Sequence, residues 1–251
     1  MPKADVDLGY AIGLKPEEAI AYFESKGYAT GFNWHDIEAR AHATSFTVAG
    51  VLKQDVLEDI HKSLREHIAD GGTLRDFERQ ITPTLIRKGW LADRARLVAD
   101  EDGVLEGKQL TPRRLRTIFE TNMQAAYGAG RYAEQMANSE LRPIWERVAV
   151  MDMHTRPLHA RLNGFTARYD DPVWQFMYPP DGYHCRCRIR ARSQADADRM
   201  GIEVKSWEQD IVTVQQAWGP KETRDVKALR FNGELYTPDA GFGHNPGQGW
   251  L

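Results

Sequence analysis

The feature that most constrains this chain is a change of hydrophobic period near Pro143. Upstream, apolar residues recur at helical spacing between clear start and stop signals; downstream, short alternating segments replace them. A chain written this way is expected to be α+β, with a mostly helical N-terminal region followed by a small mixed module of short antiparallel strands. The spacing predicts a helix over 16–26, where Pro16 takes the first position, Glu17 and Glu18 the first turn, and Gly27 follows the end. A second is predicted over 34–44 and a third over 53–69, where Val56, Leu57, Ile60, Leu64 and Ile68 make one stripe before Gly71-Gly72. Thr73 reads as the N-cap of a fourth helix reaching Lys88, with Pro83 as a candidate kink. Thr111-Pro112 opens the longest, striped by Leu115, Ile118, Phe119, Met123, Ala126 and Tyr127. Gly128 and Gly130 inside it each cost about 1 kcal/mol relative to alanine, so another backbone is expected to pack closely there.

Beyond Pro143, "IWERVAV" alternates as a strand does, Asn163-Gly164 favours a tight turn, and "CRCRIR" (185–190) alternates strictly. A short helix is predicted over 194–200. The Gly/Pro-rich end reads as irregular, with Phe231, Leu235, Tyr236, Phe242 and Trp250 as anchors to a surface or a partner. This divides the chain into a helical region 1–110, a long helix plus small β module 111–200, and a C-terminal extension with an aromatic tail 201–251.

At 251 residues the chain needs no covalent staples for its core, so its two cysteines are not a disulfide framework. The N-terminus lacks a secretory pattern, which points to a reducing cytoplasm and to free thiols or metal ligands. No apolar run approaches the roughly 20 residues of a membrane span. If 185–190 is extended, Cys185, Cys187 and Ile189 share one face and Arg186, Arg188 and Arg190 the other. Alpha carbons two apart then lie about 6.5–7 Å from each other, at or beyond disulfide reach. Two thiolates on one face supply half of a tetrahedral zinc site, and Asp152 and His159 are candidates for the other half, with His154 or His184 as alternates. Only one residue separates the cysteines, where common zinc sites have two to four. Two other readings stay open: small buried hydrophobes, or a hydrogen-bonded knot without metal. The arginines at 186, 188, 190 and 192, with Arg113, Arg114 and Arg116, either contact phosphates or form a solvated face, balanced by 36 acids against 33 bases. A net charge of −3 excludes a surface that is basic throughout.

These residues also form an ordered set: "IFETNMQAAYGAGRY" (118–132), Trp145, "MDMHTRPLHARLNG" (151–164), "DDPVW" (170–174) and "PPDGYHCRC" (179–187). The set resembles the Mu F-type head morphogenesis proteins of tailed phages, also called minor head or minor capsid proteins. The resemblance makes Asp152, Arg156, His159, Gly164, Pro179, Pro180, Cys185, Arg186 and Cys187 the signature positions. It implies a low-copy protein associated with the portal and the inside of the head during procapsid assembly, some members of the family binding DNA. Host cytoplasm during assembly, then the virion head, is the location it implies, for a phage or a Mu-like prophage. The competing reading is a metal-dependent nuclease or hydrolase with His159 as base and Asp152 as ligand or orienter. No Gly-rich phosphate loop or nucleophile elbow accompanies those residues. A free-standing DNA-binding regulator lacks a helix-turn-helix pair.

Overall fold

The computed structural model describes residues 16–29, 45–91, 98–99, 105–107, 110–219 and 222–251; the helix expected over 34–44 lies outside them. The protein is α+β. The helical front contains α1 (Glu17–Glu24), α2 (Gln54–Asp70), α3 (Leu74–Arg87) and α4 (Pro112–Ala137). Its start and stop chemistry is the one the sequence carries. Thr73 accepts from the Asp76 backbone N–H, and the Asp76 carboxylate answers to the Thr73 N–H, a reciprocal capping box. Gly71 closes α2 at φ 69°, a left-handed position that glycine adopts without steric cost. Pro83 stands inside α3 without splitting it.

Burial of the apolar stripes drives this front together. Val56, Leu57, Ile60, Leu64 and Ile68 of α2 meet Phe77, Ile81 and Leu85 of α3, Phe23 of α1, and Leu115, Phe119 and Ala126 of α4 in one core. Helix α4 then runs on into the second core, where Tyr132 joins Trp145, Trp174 and Tyr178. At the crossing the two glycines meet the expected backbones. A Cβ on Gly128 would stand 2.8 Å from the Pro179 carbonyl oxygen, and one on Gly130 would stand 2.9 Å from the Ala19 nitrogen.

The second half is built on strands. Two short pairs precede it, parallel β1 (Gly27–Tyr28) with β2 (Ser45–Phe46), and antiparallel β3 (Val98–Ala99) with β4 (Leu105–Gly107). The central sheet has the order β6-β5-β7, with β5 (Ile144–Val148), β6 (Thr166–Arg168) and β7 (Arg188–Arg192) all antiparallel. Between them stand α5 (Pro157–Arg161) and α6 (Trp174–Met177), and α7 (Gln194–Arg199) follows. One expectation needs correction: the strand begins at Arg188, so Cys185 and Cys187 precede it. Its pairing with β5 ends at Val148↔Arg188, which leaves earlier residues no neighbour to bond. The alternation itself continues, with Cys185, Cys187 and Ile189 buried and Arg186, Arg188 and Arg190 exposed.

A further sheet, β10-β9-β8, lies in the C-terminal extension, where no strand is expected from the sequence: β8 (Ile211–Ala217), β9 (Thr223–Phe231) and β10 (Glu234–Tyr236), the last of them inside the tail expected to be irregular. Asn232 and Gly233, at φ 52° and 80°, turn β9 into β10. The tail then folds back over both halves, with Asn245 donating to the Trp174 carbonyl at 3.1 Å and Trp250 meeting Tyr22 edge-on at 5.9 Å.

Candidate metal centre

The centre begins with an arginine in the wrong place for an arginine. Trp145 and Arg147 share one face of β5, and both are fully buried. A guanidinium taken out of water needs an anion and further acceptors. Arg147 donates to the Asp181 carboxylate at 2.6 Å and to the Met177 carbonyl at 3.0 Å. Burial alone would raise the Asp181 carboxyl, but the neighbouring Arg147 and His159 outweigh it and hold it below the usual carboxylate range. The other oxygen of Asp181 is turned to Cys185, whose thiol donates to it at 2.9 Å.

Helix α5 delivers the remaining group. His159 Nδ1 lies 3.5 Å from Cys187 Sγ, 3.7 Å from Cys185 Sγ and 3.7 Å from Asp181 Oδ1. All four side chains are buried, and one ligand atom from each lies within 4.8 Å of every other. Tetrahedral zinc at ordinary bond lengths separates a nitrogen and a sulfur ligand by about 3.5 Å, which the His–Cys spacings would suit, whereas the 2.9 Å between Cys185 Sγ and Asp181 is a hydrogen bond that would have to open. The Cys185 thiol is pushed up, first by its hydrogen bond with Cys187 and then by burial. That same hydrogen bond, with Arg147 nearby, lowers Cys187 to about 7. One thiol of the pair is thus ready to lose its proton, which metal binding requires.

The structure brings three of the sequence candidates together, His159, Cys185 and Cys187, and puts Asp152 elsewhere. Asp152 accepts two hydrogen bonds from Arg186, at 2.6 and 2.7 Å, on the exposed side of the loop. The Arg186 bonds, foremost among the causes, hold its carboxyl well below the usual range. Among the alternates, the His154 N–H caps Asp152, and the His184 ring pairs with Glu120. Both histidines border a crevice of about 20 Å3 that leads from the surface to His159 and Cys187.

The other signature positions hold the loops that carry the ligands. Arg156 donates to Asp239 at 2.7 Å, and Gly182 beside them has no room for a side chain, since a Cβ there would be 2.3 Å from both. Gly164, at φ 81°, follows Asn163, whose side-chain oxygen accepts from the Ala149 N–H at 3.0 Å. The carbonyl of Pro179 and the ring of Pro180 lie against Gly128. In the arginine stripe, Arg190 and Arg192 both pair with Glu146 and Arg186 pairs with Asp152, so three of the four charges are met within the chain.

Asp181 and Arg147 were not singled out from the sequence. The signal was present: alternation in "IWERV" sends Arg147 to the side of Trp145, and an inward arginine calls for a buried acid. Asp181 reads instead as half of an Asp-Gly turn.

The helical front, the three-stranded antiparallel module and the buried Asp/His/Cys/Cys group lie largely within the stretch that a known protein family shares. The chain belongs to the family described as Phage Mu protein F like protein, whose pattern matches residues 58–190, more than half of it. It is 41% identical over 254 residues to the "Putative capsid assembly protein F" of Escherichia phage Mu, an alignment covering 98% of this chain and 57% of that protein. It is 36% identical over 222 residues to the "Mu-like prophage FluMu F protein" of Haemophilus influenzae, covering 86% of this chain and 52% of that protein. The chain therefore spans little more than half the length of these relatives. No solved structure matches it.

Proposed function

We propose that this chain is a minor head protein acting in assembly of the head of a tailed phage or prophage, and that its Mu F module is a non-catalytic scaffold organised by one zinc ion on His159, Asp181, Cys185 and Cys187. Family membership supports the assembly role, as does the capsid-assembly name of the phage Mu relative. The observation that carries the scaffold reading is that four buried protein ligands converge on one point. Structural zinc sites are closed by four protein ligands, whereas hydrolytic sites keep one position open for water and substrate. The adjoining crevice, at about 20 Å3, has room for about one water. Charge agrees: a zinc ion, two thiolates, the Asp181 carboxylate and the Arg147 guanidinium sum to zero, as do two thiols, the carboxylate and the guanidinium without it. The hydrolase reading loses its orienter, because Asp152 is engaged by Arg186.

The portal and other head proteins are the partners in this reading. Packaged double-stranded DNA is a weaker candidate, given the internal pairing of the arginine stripe. No helix among the described residues is long and apolar enough to cross a membrane. Elemental analysis of protein purified without an affinity tag tests the scaffold: one zinc per chain is expected, lost in His159→Ala and Cys187→Ser. The same preparations incubated with plasmid DNA and divalent metals should leave it intact. Cleavage that His159→Ala abolishes would replace the scaffold with an enzyme. Co-purification with portal from expressing cells tests the assembly role separately.

A further inference from the structure

The sheet edges of this protein are not treated alike. On β7 the outward carbonyls of Ile189 and Ala191 accept from the side chains of Gln135 and Arg142, at 2.9 and 3.4 Å. On β6 those of Thr166 and Arg168 accept from the indoles of Trp207 and Trp174, both at 2.8 Å. Edge β10 is three residues long, and its Glu234 pairs with Arg161. An open edge is a template for another strand, and plugs, charges and short length are the ordinary ways of blunting one.

Edge β8 has none of these. Its seven residues, "IVTVQQA", carry no charge and no proline, and they run against β9 without a break in register. Among the described residues no strand lies on its other side. The ladder decides which backbone groups face outward. The Trp218 N–H donates to the Glu222 carbonyl at 2.7 Å, so alternate residues back from it, Gln216, Val214 and Val212, turn inward to β9. Thr213 and Gln215, with Ile211 and Ala217 at the ends, turn their N–H and C=O groups outward. The edge is also within reach: Ile211 packs on the second core beside Leu229, while Thr213 and Gln215 beyond it are exposed.

We propose that β8 is an interface for a second copy of this chain, whose own β8 adds to it antiparallel about a twofold axis at Val214, making one continuous sheet from two. In that register each outward residue meets another: Thr213 opposes Gln215 and Ile211 opposes Ala217, every pair exchanging N–H···O bonds. Val214 opposes Val214 and Val212 opposes Gln216 in the closer pairs between, where β-branched side chains pack well. No like charges meet, because the strand has none. A twofold contact needs a surface complementary to itself, and an uncharged edge whose bonding residues are matched by the symmetry is one. Discrimination in favour of a different protein's strand is commonly written in charges, and β8 offers none. The inference depends on neither the zinc nor the assembly role.

Sedimentation equilibrium of the full chain over about 5–500 µM tests it. A small edge-to-edge contact should give a dimer with a Kd of about 10–100 µM. Gln215→Pro, which removes an outward N–H and leaves the bonds to β9 in place, should weaken the dimer about tenfold or more. Val214→Lys and Val214→Glu each set like charges face to face across the axis, so each should be monomeric over that range, and an equimolar mixture of the two should associate again. Circular dichroism checks that the variants keep the fold, and recovery on mixing shows it independently. A wild type that stays monomeric at about 500 µM, as it would if the edge served a strand of another protein, overturns the proposal. So does a dimer that none of the variants weakens, or a mixture of the folded Val214 variants no more associated than its components.

Discussion

The two halves are held by opposite kinds of core. In the helical front the buried contacts are overwhelmingly between apolar side chains, and the stripes of α2, α3 and α4 simply close on one another. In the strand module a fully buried Arg147, Asp181, His159 and two thiols stand beside a ring of tryptophans and tyrosines. An apolar core loses stability in proportion to what is removed from it, and it tolerates repacking. A buried polar centre behaves as a unit, because removing one member strands the charge or lone pair of another. The module should therefore be the more brittle half, and substitutions at five positions test and bound that difference.

The largest effect is expected from Asp181→Ala, which leaves Arg147 buried without its anion and should cost about 3–5 kcal/mol in denaturant unfolding. Coupling sharpens the comparison: Arg147→Met combined with Asp181→Leu should cost less than the sum of the two singles, since neither charge is then left unpaired. Ile60→Ala, fully buried in the helical front, should cost about 2–4 kcal/mol and add independently to changes at Asp181. If the Ile60 change proved the costlier of the two, the contrast between the halves would fail.

Gly128→Ala should come next. The alanine gains about 1 kcal/mol of helix propensity but meets a backbone carbonyl at 2.8 Å, and overpacking costs about 1–3 kcal/mol, for a small net loss. A stabilised variant would mean that the approach of Pro179 to the helix is looser than drawn. The smallest effect is expected from Glu146→Gln, read as pH dependence. Burial acts to raise the Glu146 carboxyl, but hydrogen bonds from Arg190 and Arg192 outweigh it and keep it below its ordinary value. A depressed carboxyl adds stability that is present above its unfolded value, about 4.3, and is lost as pH falls through the folded one. The wild type should therefore lose more stability than the variant when urea melts are compared between about pH 5 and pH 3.

Most of the helical front was legible because its signals are local. Thr73 with Asp76, Gly71 and the stripe from Val56 to Ile68 each specify an element within a few residues of themselves. Even the close approach at Gly128 and Gly130 could be anticipated, since a glycine in a helix interior needs a reason. The candidate metal centre is legible in the sequence only in part. Residue type marks His159, Cys185 and Cys187, but proximity to the histidines in sequence points to Asp152 as the acid, where the structure groups Asp181 with them. Which carboxylate turns inward is decided by Arg147, thirty-four residues away from Asp181, and by Arg186, which claims Asp152 from outside. The β8–β10 sheet went unseen because charges crowd its middle strand and blur the period of two.

Helix α4 has a consequence for how such a chain could be used. Twenty-six residues at 1.5 Å each make a rod of about 39 Å. It is seated in one core at its start and in the other at its end. With neighbours pressed against its middle at Gly128 and Gly130, neither half has a swivel point along it. The two cores are therefore held at a set separation by one rigid rod.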